Sequence, residues 1–278
     1  VVAVDFSEGA STALGRLHAL PLARSPVIHL VHVVPVPTLT PLPVAKNMAG
    51  EQLKTLVRAV RRQFARARVT SAISSGRPAD EIARVARERR AELIVAGRRG
   101  AGGFPRLMLG STAERLLRVS AAPVLLVAQE SAAYEHVLMP LDVTEDVAPV
   151  LRLAARLLPR SALIEMLHVY WVYGAGYLAI GGAPRHVIAD HRRRVRQQAE
   201  DAAAPVARWL RQAGFRATVT LLNGDPRRVV ERVLRAERPD LVVIGNHGRS
   251  AVSRALLGSV AAQVLKSATG DILLAPVS

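Results

Sequence analysis

Short, fully apolar runs alternate along this chain with longer stretches whose apolar positions recur at helical spacing. The second half shows the pattern best. Residues 136–141 and 162–169 read as strands, with a helical pattern over 147–158 between them. A long helical stretch follows over 187–213, with Val195, Ala199, Ala202, Val206 and Leu210 on one face. Pro205 inside it is expected to bend or divide the helix. Residues 216–222 read as a third strand and 227–235 as a helix opening after Pro226. Residues 240–245 form a fourth strand, 259–266 a helix and 272–275 a fifth strand. The first half repeats this order. Strands as uniformly apolar as Leu93-Ile-Val-Ala96 and Leu241-Val-Val-Ile244 imply a parallel sheet covered by helices on both faces.

The order repeats because the sequence does. Asp5 in VAVDFSE matches Asp142 in MPLDVTE, and His32 matches His168. Gly76-Arg-Pro matches Gly224-Asp-Pro, and LIVAGRRG matches LVVIGNHG. The 278 residues are therefore two tandem copies joined near 130–135, with domains expected over 1–131 and 132–278. The second copy is longer between its His and its Gly-x-Pro, and the excess is expected around 173–186.

One glycine spacing occurs in both copies. Gly97-Arg-Arg-Gly100 is followed after nine residues by Gly110-Ser111-Thr112, and Gly245-Asn-His-Gly248 after nine by Gly258-Ser259-Val260. A Gly-x-x-Gly turn bends tightly and lets a ligand approach the backbone. The later Gly-Ser pair opens a helix, whose free amides and positive end attract phosphate. Each serine is expected either to donate to a phosphate oxygen or to cap its helix. Arg99 and His247 lie within the turns. His32 and His168, after apolar strands, read as packed residues. In doubly wound sheets ligands bind at the carboxyl ends of the strands, where strand order reverses. Asp5 and Asp142 close the first strand of each half and Gly97 and Gly245 the fourth. If those strands are neighbours, carboxylate and glycine turn share one crevice, and the carboxylate can accept from a ribose hydroxyl.

At these residues the chain resembles the universal stress proteins in their tandem, ATP-binding form. The resemblance covers nearly the whole chain and rests on VAVDFSE, GRP, LIVAGRRGAGGFPRLMLGST and APVLLV, and on MPLD, GDP, LVVIGNHGRSAVSRALLGSV and ILLAPV. It implies five parallel strands per half, ATP at the glycine turn with Mg2+ held through the phosphates, and a role in surviving stress. The first site it implies comprises Asp5, Val33, Ala96, Gly97, Arg99, Gly100, Gly110, Ser111 and Thr112. The second comprises Asp142, Val169, Ile244, Gly245, His247, Gly248, Gly258, Ser259 and Val260. The two valines would meet adenine, and the glycines and serines would hold ribose and phosphates. Two departures stand out. The family's proline before the last strand is Pro123 in the first half but Asp271 in the second, at the edge through which such domains pair. Phe6-Ser7 after the first aspartate becomes Val143-Thr144, so the second pocket is expected to differ. The connections 34–52 and 170–191 carry no strong pattern and are candidate lids.

Nothing demands catalysis. There is no Gly-x4-Gly-Lys-Ser/Thr loop and no nucleophile with a readable His and carboxylate, which leaves slow ATP hydrolysis at most. A net charge of +16, from 38 Lys and Arg against 22 Asp and Glu, raises a rival reading as a nucleic-acid or other anion binder. Aromatics at 4% leave few stacking platforms for single strands, and the arginines of 58–68, 84–90 and 191–196 fall mostly on outer helix faces. A ligand-free scaffold is the third reading. No apolar run suffices to span a bilayer and no secretory signal is visible, so a cytoplasmic protein is expected. The chain opens at Val1 almost directly on a strand, and its native start is expected upstream. Each half is long enough for its own core. The apolar last strands, 124–128 and 272–275, would be exposed edges unless the halves pair through them as an internal pseudo-dimer. A further homodimer is compatible with the sequence.

Overall fold

The computed structural model describes residues 1–100, 109–128, 133–174, 180–245 and 257–276. In the first half the strands are β1 (Val2–Ala3), β2 (Val27–Pro35), β3 (Arg68–Gly76), β4 (Ile94–Gly97) and β5 (Val124–Val127). The helices are α1 (Glu8–Arg16), α2 (Leu42–Gln63), α3 (Pro78–Glu88) and α4 (Ser111–Val119). The second half has β6 (His136–Pro140), β7 (Leu163–Tyr170), β8 (Arg216–Asn223), β9 (Leu241–Gly245) and β10 (Asp271–Ala275). Its helices are α5 (Ala148–Leu157), α6 (Arg185–Gln212), α7 (Pro226–Glu237) and α8 (Ser259–Ser267).

All ten strands form one sheet in the order β3-β2-β1-β4-β5-β10-β9-β6-β7-β8. Pairing within each half is parallel, and the halves meet antiparallel, with Leu125 opposite Leu273 and Val124 opposite Leu274. The expected doubly wound architecture is present in both copies, and the two apolar edges close on each other as expected. β1 lies beside β4, and β6 beside β9, so the strand order reverses where the sequence argument required it.

The cores differ from the expectation of one per half. On one face α1, α2, α5 and α6 cover a cluster running from Val4 and Leu30 through Leu125 to Leu273 and Met139. On the other, α3, α4, α7 and α8 cover a cluster from Val31 through Leu126 to Ile272 and Val242. Each crosses the seam because β5 and β10 hold fully buried side chains on both faces. Burial of that kind stabilises by about 25 cal/mol per Å2 of apolar surface, so the seam is as much core as interface.

Two other expectations are corrected. Pro205 lies inside α6 without dividing it. It sits on the exposed face, where the carbonyl freed by its missing N–H can be hydrated, and Ala203, Val206, Ala207 and Leu210 bury the opposite face. The connection 34–52 is largely strand and helix, since α2 begins at Leu42. Its first turns are exposed at Val44 and Met48, and burial begins only at Ala49, so no apolar stripe announces the helix start. The extra length of the second copy lies partly in α6, 28 residues against 22 in α2.

Candidate functional site

Each half carries a cleft at the carboxyl ends of its strands. The first, about 370 Å3, is lined by Asp5, Val33, Ala96, Gly97, Arg99, Gly100, Gly110, Ser111 and Thr112, all of them predicted, together with Pro35, Ile82 and Leu116. The second, about 320 Å3, is lined by Asp142, Val169, Ile244, Gly245, Gly258, Ser259 and Val260 of the predicted set. His247 and Gly248 lie outside the described residues.

The walls are built from local chemistry. Ser7 caps α1 by accepting from the Ala10 amide, and its hydroxyl donates to Asp5 Oδ1 at 2.5 Å. The Ser7 amide donates to the same oxygen. Thr144 repeats this on Asp142, donating from its hydroxyl at 2.6 Å and from its amide at 3.1 Å. The serine-to-threonine change therefore keeps the carboxylate in place. The real difference is one residue earlier. Phe6 has φ of 62° and stacks on His32, with ring centroids 4.5 Å apart, and Val143 offers no ring. His32 and His168 each set Nδ1 against a carbonyl just past the first strand of their half, Val4 at 2.9 Å and Leu141 at 3.1 Å, and His32 also lines the first cleft. Replacing Ser7 by alanine is expected to cost about 1 kcal/mol through the lost cap. It also removes the hydroxyl bond to Asp5 and loosens the carboxylate, so ligand affinity at the first cleft should fall with stability. Denaturant unfolding and ligand titration of the same variant check both.

The glycines are needed for space. A Cβ on Gly100 would lie 2.5 Å from Asp5 Oδ2, and one on Gly97 would lie 2.7 Å from the Gly9 carbonyl oxygen. The glycine turn is thus seated directly against the carboxylate and the start of α1. Gly110 and Gly258 are the N-caps of α4 and α8, and no side chain caps either helix. This narrows the reading of Ser111 and Ser259. Both are first-turn residues on the exposed cleft wall rather than caps. First-turn amides lack intrahelical partners and carry the positive end of the helix dipole.

The clefts are not electrostatic copies. Glu145, Asp146 and Asp225 join Asp142 around the second, and only Arg227, 3.7 Å from Asp225, adds a described cation to its lining. Asp225 caps α7 through the Arg228 amide, which with the nearby arginines holds its carboxyl below the usual range.

The sequence predicted the seam but not its polar contacts. Arg98, inside the first glycine turn, is buried and points away from the cleft into the second half. Its guanidinium donates to the carbonyls of Leu265, Ala268 and Gly270 at the end of α8. Burial, and then the charge of Arg99, lower its pKa from the arginine value. Beside it Asp271, wholly buried, meets Arg16 Nε at 2.8 Å, the Tyr134 hydroxyl at 2.8 Å and the Ala128 amide at 2.8 Å. The Arg16 guanidinium also lies over the Tyr134 ring. Burial, reinforced by Asp271, holds the Tyr134 hydroxyl protonated. The substitution of aspartate for proline therefore keeps the pairing edge and fills it with ionic contacts. The basic stretches are partly neutralised on exposed faces: Arg84 pairs with Glu81 and Glu88, and Arg196 with Glu200. Among the described residues no helix is long and apolar enough to cross a membrane.

Two five-stranded doubly wound units, joined edge to edge with a cleft at each switch point, define the class of α/β protein. The chain belongs to the universal stress protein family, whose model matches residues 1–128 and 133–276. A universal stress protein of Mycolicibacterium smegmatis is 29% identical over 196 residues, 66% of this chain and 61% of that protein. One from Synechocystis is 25% identical over 183 residues, 66% of this chain and 57% of that protein. The matches thus span about three-fifths of these curated relatives. The crystal structure of a universal stress protein from Archaeoglobus fulgidus is similar in fold. Its TM-score is 0.70 at 17% identity, covering 99% of this chain and 97% of that one.

Proposed function

We propose that this chain is an adenine-nucleotide-binding stress protein, with ATP held in the two clefts and occupancy regulating its conformation or its partners. The observation that carries this reading is the convergence, at each switch point, of a fixed carboxylate, the glycine that ends the fourth strand and a helix amino terminus without a side-chain cap. The residues fit the ligand. Asp5 and Asp142 would accept from ribose hydroxyls, Val33 and Val169 would lie against adenine, and the first-turn amides of α4 and α8 would take phosphate. Mg2+ would come with the phosphates and offset their charge. No nucleophile with an orienting base lines either cleft among the described residues, and the role proposed is binding rather than turnover. The acidic rim of the second cleft favours the first as the tighter site.

The test is to denature freshly purified protein and identify released nucleotide by chromatography, with its ratio per chain. About two adenine nucleotides per chain is the outcome expected if both clefts work. About one is expected if the acidic rim weakens the second. None released, and none bound on adding Mg-ATP, would overturn the reading and leave an anionic macromolecule or a ligand-free scaffold.

A further inference from the structure

At the amino ends of the strands, opposite the clefts, three potential ligands meet at the end of α7. They are His136, the first residue of β6, Glu165 of β7, and Glu237, the last residue of α7. We propose that His136, Glu165 and Glu237 form a binding site for one divalent transition-metal ion, with zinc as the fitting probe.

The spacing supports this first. His136 Nε2 lies 3.4 Å from Glu165 Oε2 and 3.7 Å from Glu237 Oε2. A tetrahedral ion with ligand bonds of about 2.1 Å separates its ligands by about 3.4 Å, so a cation fits between these atoms with little movement. The donor set, one imidazole and two carboxylates, is one that zinc accepts. His136 is partly buried and Glu237 is exposed, which leaves an open side for a water as fourth ligand.

The surroundings hold the ligands in place. The Glu165 side chain is largely buried, and its second oxygen, Oε1, accepts from the Thr220 hydroxyl at 2.6 Å, leaving Oε2 turned toward the histidine. Hydrogen bonding of this kind orients a ligating carboxylate. Asp240 accepts from the amides of Glu135 and His136 and fixes the backbone that carries the imidazole. The two carboxylates lie close together, and a cation between them would offset their repulsion. The hydrogen bond to Glu165, with burial, pushes Glu237 up to about 7.

The fold does not require this arrangement. The matching positions of the first half are His29, bonded to Thr70 at 2.7 Å, and Arg89. Thr220 itself matches Ala72, and neither carboxylate recurs, so the acidic pair and its threonine are peculiar to the second half.

The experiment uses the full chain, stripped with a chelator and titrated with zinc chloride against a chromophoric competitor near neutral pH. One zinc per chain is expected. Glu237→Gln and His136→Ala should each weaken it by at least about tenfold, and Thr220→Val by about tenfold. His186→Ala, at an exposed histidine elsewhere, should leave it unchanged. Glu237→Gln is a surface change at a helix end, and its unchanged thermal melting without metal would show that the fold is kept. Failure of the wild-type chain to bind zinc would overturn the proposal and leave a proton-sharing pair. So would zinc retained at full strength by Glu237→Gln and His136→Ala.

Discussion

Asp271→Ala is expected to lower the stability of the chain by about 3–5 kcal/mol, because it leaves the buried Arg16 guanidinium without its counter-charge. The Tyr134 hydroxyl and the Ala128 amide lose their acceptor, and Arg16 Nε loses its ion pair. The Tyr134 hydroxyl, left buried and unsatisfied, accounts for about 1–3 kcal/mol of that loss unless water enters. The seam offers water little room, since Arg16 and Tyr134 are almost wholly buried. Removing the whole network should hurt far less. The triple variant Asp271→Leu, Arg16→Met, Tyr134→Phe is expected to recover most of the loss, as hydrophobic replacements of buried ion networks often do. Denaturant unfolding followed by circular dichroism measures both. A loss below about 1 kcal/mol for Asp271→Ala would mean that the seam is hydrated and the pair screened.

Gly100→Ala is expected to reduce nucleotide affinity at the first cleft by about a hundredfold or more while leaving the fold intact, an effect of about 2.7 kcal/mol or more. The new methyl would lie 2.5 Å from Asp5 Oδ2, an oxygen at the tip of a short side chain tethered by Ser7. The carboxylate must swing away from its place in the cleft, and the backbone need not move. Gly97→Val makes a poorer test. There the added carbons meet the backbone of Gly9 and Arg99, so folding and binding would fail together. Calorimetric titration with Mg-ATP reads Gly100→Ala directly. If the ligand sits in the second cleft alone, this variant will bind as wild type.

The fold could be read from the sequence because strands such as Leu241-Val-Val-Ile244 are apolar on both faces, and because the order of landmarks repeats. The cleft residues were legible for a related reason. Glycines at Gly97, Gly100 and Gly110 serve contacts short in range, and a fixed spacing preserves those. Other features depend on partners distant in the chain. Arg16 looks like a solvated residue of an amphipathic helix until β10 brings Asp271 against it. Arg98 lies inside the glycine turn, and nothing in the sequence shows that it reaches the end of α8. Asp271 was visible as a departure from proline, but its three partners were not. His136, Glu165 and Glu237 share no local motif, and only strand order and the length of α7 bring them together.

The antiparallel join of β5 to β10 has a consequence for symmetry. Two identical copies paired in this way would have to present the same residues on both sides of the axis. Here Arg16 and Asp271 face each other across it, while the positions that mirror them hold Leu153 and Pro123. A second half meeting another second half would bury Asp271 with leucine in the place of its arginine. Two first halves would bury Arg16 with no acid to receive it. The seam is self-complementary only between unlike halves. Duplication has thus become irreversible in this chain: neither copy can return to a symmetric life alone, and each cleft is free to drift from its twin.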